Sequence, residues 1–256
     1  MGLFSKIFNR NKNGDAQNSS PASVFVNPVK VEFHSHLIPG VDDGCEHIEQ
    51  SMELVRGFAA LGMQKIITTP HVMSDFYKNS RDNVYPLRDE IRKRIAEENI
   101  TIEFDAAAEY MVDDAFEQKI EEGNLLTFGK DNKHILIELP FMTEPRNLGS
   151  SLFSLQIGGY IPVLAHPERY LYYANEKDKY HELKDRGVLL QLNMLSCLGY
   201  YSKPVAEAAA YLVNNKLIDL VGSDTHHIRH LHILPDAIHH KIYRKACELE
   251  LLNNYL

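Results

Sequence analysis

Short apolar segments alternate with amphipathic helical segments along most of this chain, and that alternation is the strongest constraint on its fold. Each apolar segment has about the length of a buried strand, and each segment after it repeats apolar residues at helical spacing. Strand–helix units of this kind build parallel sheets. About seven units, without a glycine-rich dinucleotide fingerprint, favour a closed barrel over an open, doubly wound sheet. The sequence therefore predicts an α/β barrel.

The chain contains one predicted domain, residues 29–256, with no internal repeat. The predicted strands are 31–36, 65–71, 100–110, 134–139, 161–170, 188–194 and 218–227. The predicted helices are 46–61, 83–98, 113–121, 148–158, 176–187, 203–215 and 234–253.

The first 28 residues are predicted to be a flexible N-terminal segment, because residues 11–23 are rich in Asn, Ser and Gly. The stretch MGLFSKIFNR mixes apolar and basic side chains. It could form a short helix that touches a membrane or a partner protein, or it could be a frayed terminus. No apolar run reaches the roughly 18–20 residues of a membrane-spanning helix.

Charge and cysteine content narrow the class of function. The net charge is −8 and no basic patch is evident, so nucleic acid is not expected as a partner. The three cysteines, Cys45, Cys197 and Cys247, are odd in number and lack C-x-x-C spacing. A reducing, cytoplasmic location is therefore expected.

The segment VEFHSHLIPGVDDG, residues 31–44, contains the first candidate ligands. Its period-two pattern predicts a strand that carries His34 and His36 on one face, followed by a turn with Asp42 and Asp43. Two imidazoles and a carboxylate at a strand end can begin a metal site. The alternative is a surface histidine pair beside an acidic loop.

The other predicted strands favour the metal site, because polar side chains also follow them. Such residues lie at or just past the ends of six strands: His34, His36, His71, Glu109, Glu138, His166, Asp224 and His226. In a parallel barrel these ends meet at one face. Burying so many imidazoles and carboxylates costs several kcal/mol each unless they have partners, and metal ions are suitable partners.

The ligand types indicate the metal and the chemistry. Imidazole and carboxylate without thiolate fit manganese, iron or zinc. The ligands are too many for one ion, so two or three are expected, with Glu109 as the bridging carboxylate. Adjacent ions can hold a hydroxide at neutral pH and clamp both oxygens of an in-line displacement at phosphorus.

Five motifs in register, HSH, TPH, AEY, AHPER and SDTHH, resemble the PHP (polymerase and histidinol phosphatase) family. HSHLIPGVDDG together with AHPERY is closer still to the manganese-dependent tyrosine-protein phosphatases of bacterial capsule and exopolysaccharide operons. The resemblance extends from Val31 to the C-terminus. It implies a distorted (β/α)7 barrel with a trinuclear metal centre.

The resemblance also implies a role for each residue. The first ion would be held by His34, His36, Glu109 and Asp224, the second by Glu109, Glu138 and His166, and the third by Asp43, His71 and His226. Asp42 replaces Asp43 if the loop register shifts by one. Asp224 is also a candidate catalytic group.

Arg169 matches the family's phosphate-binding arginine, and a guanidinium fork suits a phosphate. The family often has a second arginine after the Asp-x-His motif, and Arg229 lies two residues closer than that pattern. Arg229, His227 or His230 could take this role, or Arg229 could be a solvated surface residue.

The predicted function is hydrolysis of a phosphomonoester, with phosphotyrosine on a protein as the substrate and a metal-bound hydroxide as the nucleophile. The resemblance implies a membrane-associated tyrosine kinase of polysaccharide export as the partner. A cysteine-dependent phosphatase is disfavoured, because no cysteine begins a C-x5-R loop. The alternatives are a small-molecule phosphatase such as histidinol-phosphate phosphatase, an inactive binding module and a polymerase-associated nuclease. Tyr110, Tyr170, Tyr172 and Tyr173 are candidates for stacking on a phosphotyrosine ring.

Overall fold

The computed structural model describes residues 26–256. The amphipathic stretch at residues 1–10 and the predicted linker at residues 11–23 lie outside this range, and so does most of the predicted flexible segment 1–28. No helix among the described residues has the length and hydropathy needed to traverse a lipid bilayer.

Within residues 26–256, nine short strands, all paired in parallel, form two sheets. Their bounds are β1 Val31–Phe33, β2 Lys65–Thr68, β3 His71–Val72, β4 Glu103–Ala106, β5 Glu109–Met111, β6 His134–Glu138, β7 Ile161–Ala165, β8 Leu189–Asn193 and β9 Leu220–Gly222. One sheet has the order β1-β2-β4, and the other has the order β3-β5-β6-β7-β8-β9.

The two sheets are halves of one seven-stranded ring. The segment Thr69-Pro70 separates β2 from β3, and Ala107-Ala108 separates β4 from β5, so each predicted long strand contributes to both sheets. Pro70 has no N–H to donate, which interrupts the ladder at that point. Counting β2/β3 and β4/β5 as one strand each gives seven strands, and the predicted distorted (β/α)7 barrel is confirmed.

The ring closes where the last strand meets the first. Ser35 pairs in parallel with Thr225, and the His36 amide donates to the Thr225 carbonyl at 2.9 Å. A Cβ atom on Gly222 would lie 2.1 Å from the Phe33 carbonyl oxygen, so only glycine permits this approach of β9 to β1.

In the described part of the chain, eight α-helices connect or follow these strands. Their bounds are α1 Ile48–Ala60, α2 Arg81–Glu97, α3 Phe116–Glu122, α4 Leu148–Ile157, α5 Asp178–Asp185, α6 Lys203–Asn214, α7 Ile228–His239 and α8 Lys241–Ala246. The prediction of one closing helix over 234–253 is wrong. The apolar spacing of Ile228, Leu231 and Leu234 already begins a helix at Ile228, and the chain leaves helical geometry at His240 with ψ 138°.

The lower part of the barrel interior is filled by apolar side chains from strands around the ring. They include Phe33, Ile67, Leu136, Val163 and Leu220, all at most 4% exposed. Because each precedes the polar end of its own strand, this apolar layer lies below the predicted site and supports it. We call these residues the lower layer.

Candidate metal centre

All nine predicted metal ligands lie in one cluster at the C-terminal mouth of the barrel, where parallel strands place functional side chains. Every one of them has a nitrogen or oxygen atom within 3.6 Å of another member. The members, called the upper layer below, are His34, His36, Asp43, His71, Glu109, Glu138, His166, Asp224 and His226.

Glu109 is at the centre of the cluster. One of its carboxylate oxygens lies 3.2 Å from His34 Nε2 and 3.2 Å from His166 Nε2. The other oxygen lies 3.1 Å from His71 Nδ1 and 3.5 Å from His36 Nε2. A carboxylate between four imidazoles is placed as a bridging ligand needs to be. His71 and Glu109 are register partners on β3 and β5, so the sheet itself sets this contact.

The potential ligand atoms fall into four overlapping groups whose members lie within 4.8 Å of one another. These groups are His36-Asp43-His71-His226, His34-His36-Asp224, His34-Glu109-His166 and His71-Glu109-Glu138. The first two resemble the predicted third and first ion sites. The predicted second site is divided between the last two groups, and His71 contributes a different ring nitrogen to each group that contains it. The assignment of ligands to individual ions stays a prediction.

The cluster contains buried polar atoms that the protein does not satisfy. His34 Nε2, His36 Nε2, His71 Nδ1, Glu109 Oε2 and Glu138 Oε2 are buried and have no hydrogen-bond partner. Buried polar groups normally have partners, and leaving one without a partner costs about 1–3 kcal/mol. Five such atoms that converge on one site fit a bound metal cluster, and imidazole with carboxylate is a ligand set for manganese, iron or zinc.

Three of the clustered residues adopt backbone conformations that are unusual for a side chain larger than glycine. The φ angles are +76° at His34, +33° at His166 and +53° at Asp224. Strain of this kind concentrates at functional sites. The predicted strand over 31–36 is therefore too long, since β1 ends at Phe33 and the bend at His34 sets the direction of its side chain.

Hydrogen bonds fix which nitrogen three of the five imidazoles, those of His34, His36 and His226, present to the cluster. His36 Nδ1 donates to Asp42 at 2.8 Å, and His34 Nδ1 donates to Gln191 Oε1 at 2.8 Å. His226 Nδ1 donates to the Asp224 carbonyl at 3.0 Å. In each case Nε2 is left free to face the cluster, the usual arrangement around metal-binding histidines.

The structure distinguishes the roles of the two adjacent aspartates, Asp42 and Asp43, which the sequence left as alternative metal ligands. Asp42 also accepts hydrogen bonds from the amides of His71 and Gly44, each at 3.0 Å, so it orients ligands and does not face the cluster. Asp43 Oδ1 lies 3.4 Å from His226 Nε2. A Cβ atom at Gly44 would lie 2.1 Å from the His36 carbonyl, so glycine allows the loop to pass close to His36.

Burial and neighbouring charges shift the pKa values of residues in the cluster. Burial disfavours protonation of His34, but Glu109 and Asp224 outweigh it and raise its pKa to about 9. Burial and the neighbouring Glu109 raise the pKa of Glu138 to about 8. In the protein without metal these groups therefore retain protons, which an incoming cation must displace.

Arg169, the predicted phosphate-binding arginine, lies at the edge of the cluster. Its Nη1 donates to Asp224 Oδ2 at 2.6 Å. Its guanidinium carbon lies 4.2 Å from the Tyr201 ring centroid and 4.8 Å from the Phe141 ring centroid. The cation is thus held by two aromatic rings and a carboxylate beside the candidate metal ligands.

Arg229, the second predicted arginine, lies exposed in the first turn of α7. Within residues 26–256 no hydrogen bond or ion pair fixes its guanidinium. His227 is also exposed, whereas His230 is buried and its Nδ1 accepts a hydrogen bond from the His226 amide at 3.3 Å. His230 thus contacts the cluster through the backbone of His226, and which of Arg229, His227 and His230 binds phosphate stays a prediction.

The cysteine and tyrosine environments clarify two further expectations. Burial raises the pKa of the Cys45 thiol to about 11 and raises that of Cys197 even further, so neither is an activated thiolate.

Tyr110 and Tyr170 are buried, and their hydroxyls accept hydrogen bonds from the Leu126 and Leu139 amides. These two tyrosines belong to the core and cannot stack on a substrate.

Sequence reasoning missed Gln191, Phe141 and Tyr201. Gln191 is a buried polar side chain between Leu190 and Leu192 in the apolar run of β8, and that exception was a usable signal for a buried polar partner. Phe141 and Tyr201 lie in loops after β6 and β8, where no periodicity marks an aromatic residue as part of a site.

Comparison with known proteins gives a consistent family assignment. A family model described as "Capsular polysaccharide synthesis, CpsB/CapC" matches residues 30–248. The tyrosine-protein phosphatase YwqE of Bacillus subtilis is 33% identical over 199 residues, which are 78% of each chain.

Two solved structures place the fold. A structure described with YwqE from Bacillus subtilis and CpsB from Streptococcus pneumoniae, as unique metal-dependent tyrosine phosphatases, superposes with a TM-score of 0.76 at 30% identity. It covers 85% of this chain and 90% of that one. Histidinol phosphate phosphatase from Lactococcus lactis gives a TM-score of 0.54 at 14% identity over 85% of this chain and 94% of that one, a likeness in fold alone.

Proposed function

Because the chain belongs to the CpsB/CapC family of capsular polysaccharide synthesis, we propose that it is a metal-dependent phosphatase that hydrolyses phosphotyrosine in proteins. The observation that carries this proposal is the buried cluster of unpartnered imidazoles and carboxylates beside Arg169. The similarity to YwqE favours phosphotyrosine over histidinol phosphate, since the histidinol phosphate phosphatase resembles this chain in fold alone.

The proposed centre contains two or three Mn²⁺ ions, with iron or zinc as alternatives of suitable ligand preference. The ligands would be His34, His36, Asp43, His71, Glu109, Glu138, His166, Asp224 and His226. When bound, the ions would supply an activated water nucleophile and neutralise the charge of the phosphate.

Residues of the protein perform the remaining steps. Arg169 binds non-bridging phosphate oxygens through its guanidinium donors, and Asp224 holds that guanidinium in place while also facing the cluster. Asp42 and Gln191 hold His36 and His34 in one ring orientation. The barrel walls exclude bulk water from Glu109, which is fully buried and therefore interacts strongly with charges around it.

The proposed partner is a phosphorylated tyrosine segment of a membrane-associated kinase that serves polysaccharide export. The family description supports this setting through its reference to capsular polysaccharide synthesis. A cytoplasmic location is proposed on the three free thiols of Cys45, Cys197 and Cys247, which suit a reducing compartment.

A peptide assay tests the function. The purified protein, stripped of metal and then supplied with Mn²⁺, is expected to release phosphate from a tyrosine-phosphorylated peptide faster than from histidinol phosphate. His36→Ala is expected to lose this activity while keeping its circular dichroism spectrum. His232→Ala, an exposed histidine on α7, is the matched control and should retain it. Faster turnover of histidinol phosphate, or full activity in His36→Ala, would contradict the proposal.

A further inference from the structure

Phe141 is an exposed aromatic residue in direct contact with the candidate site. It lies in the loop after β6, and 42% of its surface is accessible. Its ring lies nearly parallel to that of His166, at 21° and 5.8 Å between centroids. It also lies 4.8 Å from the Arg169 guanidinium carbon. Phe141 therefore borders the metal cluster and the phosphate-binding arginine at once.

The neighbouring aromatic rings are already engaged. Tyr170 packs 5.6 Å from Phe141, but it is fully buried and its hydroxyl is bonded to the Leu139 amide. Tyr201 covers Arg169 at 4.2 Å and accepts a hydrogen bond from Asn193. Phe141, in contrast, contacts the site and also has part of its ring exposed to solvent.

We infer that Phe141 is the residue that receives the aromatic ring of the substrate, an inference that rests on the function proposed above. In an aryl phosphate a single ester oxygen joins the phosphorus to the ring. A phosphate bound by Arg169 and the cluster therefore brings its ring close to the aromatic side chain beside Arg169. The exposed ring of Phe141 is the available partner, and apolar surface beside a polar site is typical of a ligand contact.

This contact gives the enzyme selectivity for aryl over alkyl phosphates. An alkyl phosphate, such as a phosphoserine side chain, would make the same contacts to Arg169 but would leave Phe141 uncovered. Offset or edge-to-face aromatic pairs strengthen binding by about 3- to 10-fold beyond area burial. Phe141 is thus a specificity-determining residue, separate from the ligands and from Arg169.

Phe141 could instead serve only to hold Arg169 and His166 in place, and this role makes a different prediction. A positioning residue would affect the binding of every phosphate in equal measure, because it would act through the guanidinium. A residue that contacts the aryl group would affect aryl ligands selectively.

Binding of two inert ligands to the Mn²⁺-loaded protein separates these roles. Phenylphosphonate and methylphosphonate carry the same charged group and differ only in the ring, and neither is hydrolysed. Their dissociation constants can be measured by titration calorimetry for wild type, Phe141→Leu and Phe141→Tyr. Phe153→Leu is the matched control, since Phe153 is a phenylalanine on α4 that is also exposed, at 63%.

Wild type, Phe141→Tyr and Phe153→Leu are expected to bind phenylphosphonate more tightly than methylphosphonate. Phe141→Leu is expected to weaken phenylphosphonate by about 3- to 10-fold and leave methylphosphonate unchanged. Equal weakening of both ligands, or no weakening of either, would overturn the inference. If either of these binding results is found and the wild type still hydrolyses the phosphotyrosine peptide, only this inference is overturned. If the wild type does not hydrolyse the peptide, the proposed function itself is overturned.

Discussion

The interior of the barrel has two layers of opposite character on the same strands. The lower layer packs Phe33, Ile67 and Leu220 against one another with no polar atom to satisfy. The upper layer begins one residue later on the first strand, at His34, and buries atoms that lack hydrogen-bond partners. The difference shows that the lower layer contributes stability, whereas the upper layer requires something that the polypeptide does not provide.

The buried, unpartnered atoms of the upper layer fit bound cations, and Glu109 is the group on which they converge. Glu109→Gln removes the negative charge and replaces one carboxylate oxygen with an amide NH2, which cannot bind a cation. We expect at least about 10³-fold loss of kcat on phosphotyrosine peptide, since the whole cluster acts as a unit. Steady-state kinetics and the metal content of the purified variant measure the effect.

Glu103→Gln, an exposed carboxylate on β4, is the control for that loss. It should keep wild-type activity and metal content. An active, metal-loaded Glu109→Gln variant would remove Glu109 from the centre of the site.

Substitutions in the lower layer should change the stability of the protein and not its catalytic rate. Leu220→Ala removes a fully buried side chain on β9 and should lower the free energy of unfolding by about 2–5 kcal/mol, because the site cannot collapse around the cavity. Urea denaturation followed by circular dichroism measures this. The kcat of the folded variant should stay within a few-fold of wild type, and a loss as large as that of Glu109→Gln would show that the layers are not separable.

The buried carboxyl group of Glu32, just below the cluster, should make the stability of the protein depend on pH. Glu32 is buried and accepts hydrogen bonds from the Ser223 amide and hydroxyl, and burial raises its pKa to about 8. Between pH 5 and 7 the folded state keeps a proton that the unfolded state has released, so stability falls as pH rises. In this window the free energy of unfolding of the wild type should fall by about 1.4 kcal/mol per pH unit relative to that of Glu32→Gln.

Urea denaturation at several pH values on metal-free protein measures that slope. Glu90→Gln, an exposed glutamate on α2, should show the wild-type dependence. Parallel curves for wild type and Glu32→Gln would mean that Glu32 titrates near its ordinary pKa in the folded protein.

The residues that orient the upper layer should give the smallest effect. Asp42→Asn keeps the shape of the loop but weakens the hydrogen bond to His36 Nδ1, so metal affinity should fall by about 10- to 100-fold. Excess Mn²⁺ should restore activity, which distinguishes this variant from Glu109→Gln. Asp75→Asn, an exposed aspartate, is the control, and unchanged affinity in Asp42→Asn would argue against an orienting role.

The two layers also differ in how far the sequence predicts them. The upper layer could be located from the sequence because its residues lie at strand ends or in the segments that follow them, and parallel strands bring those ends together. The seven-stranded barrel followed from the alternation of strands and helices. The break at Pro70 and the early start of α7 at Ile228 were not predicted, because local periodicity does not reveal where a ring of strands must bend.

The supporting contacts were beyond sequence reasoning because they join distant residues. Gln191 meets His34 across 157 positions of the chain, and Arg169 meets Asp224 across 55. The positive φ at His34 is likewise a tertiary effect, imposed where β1 closes against the segment that follows β9. Motifs identified the residues of the cluster, whereas packing determined the orientation of their side chains.

The upper layer is proposed to bind transition-metal ions through Glu109 and the residues around it. Anomalous diffraction at the manganese absorption edge, from crystals of protein loaded with Mn²⁺, would locate these ions. Two or three strong anomalous peaks are expected within coordination distance of Glu109, His34 and His71. Peaks elsewhere on the molecule, with none among these side chains, would contradict the proposal.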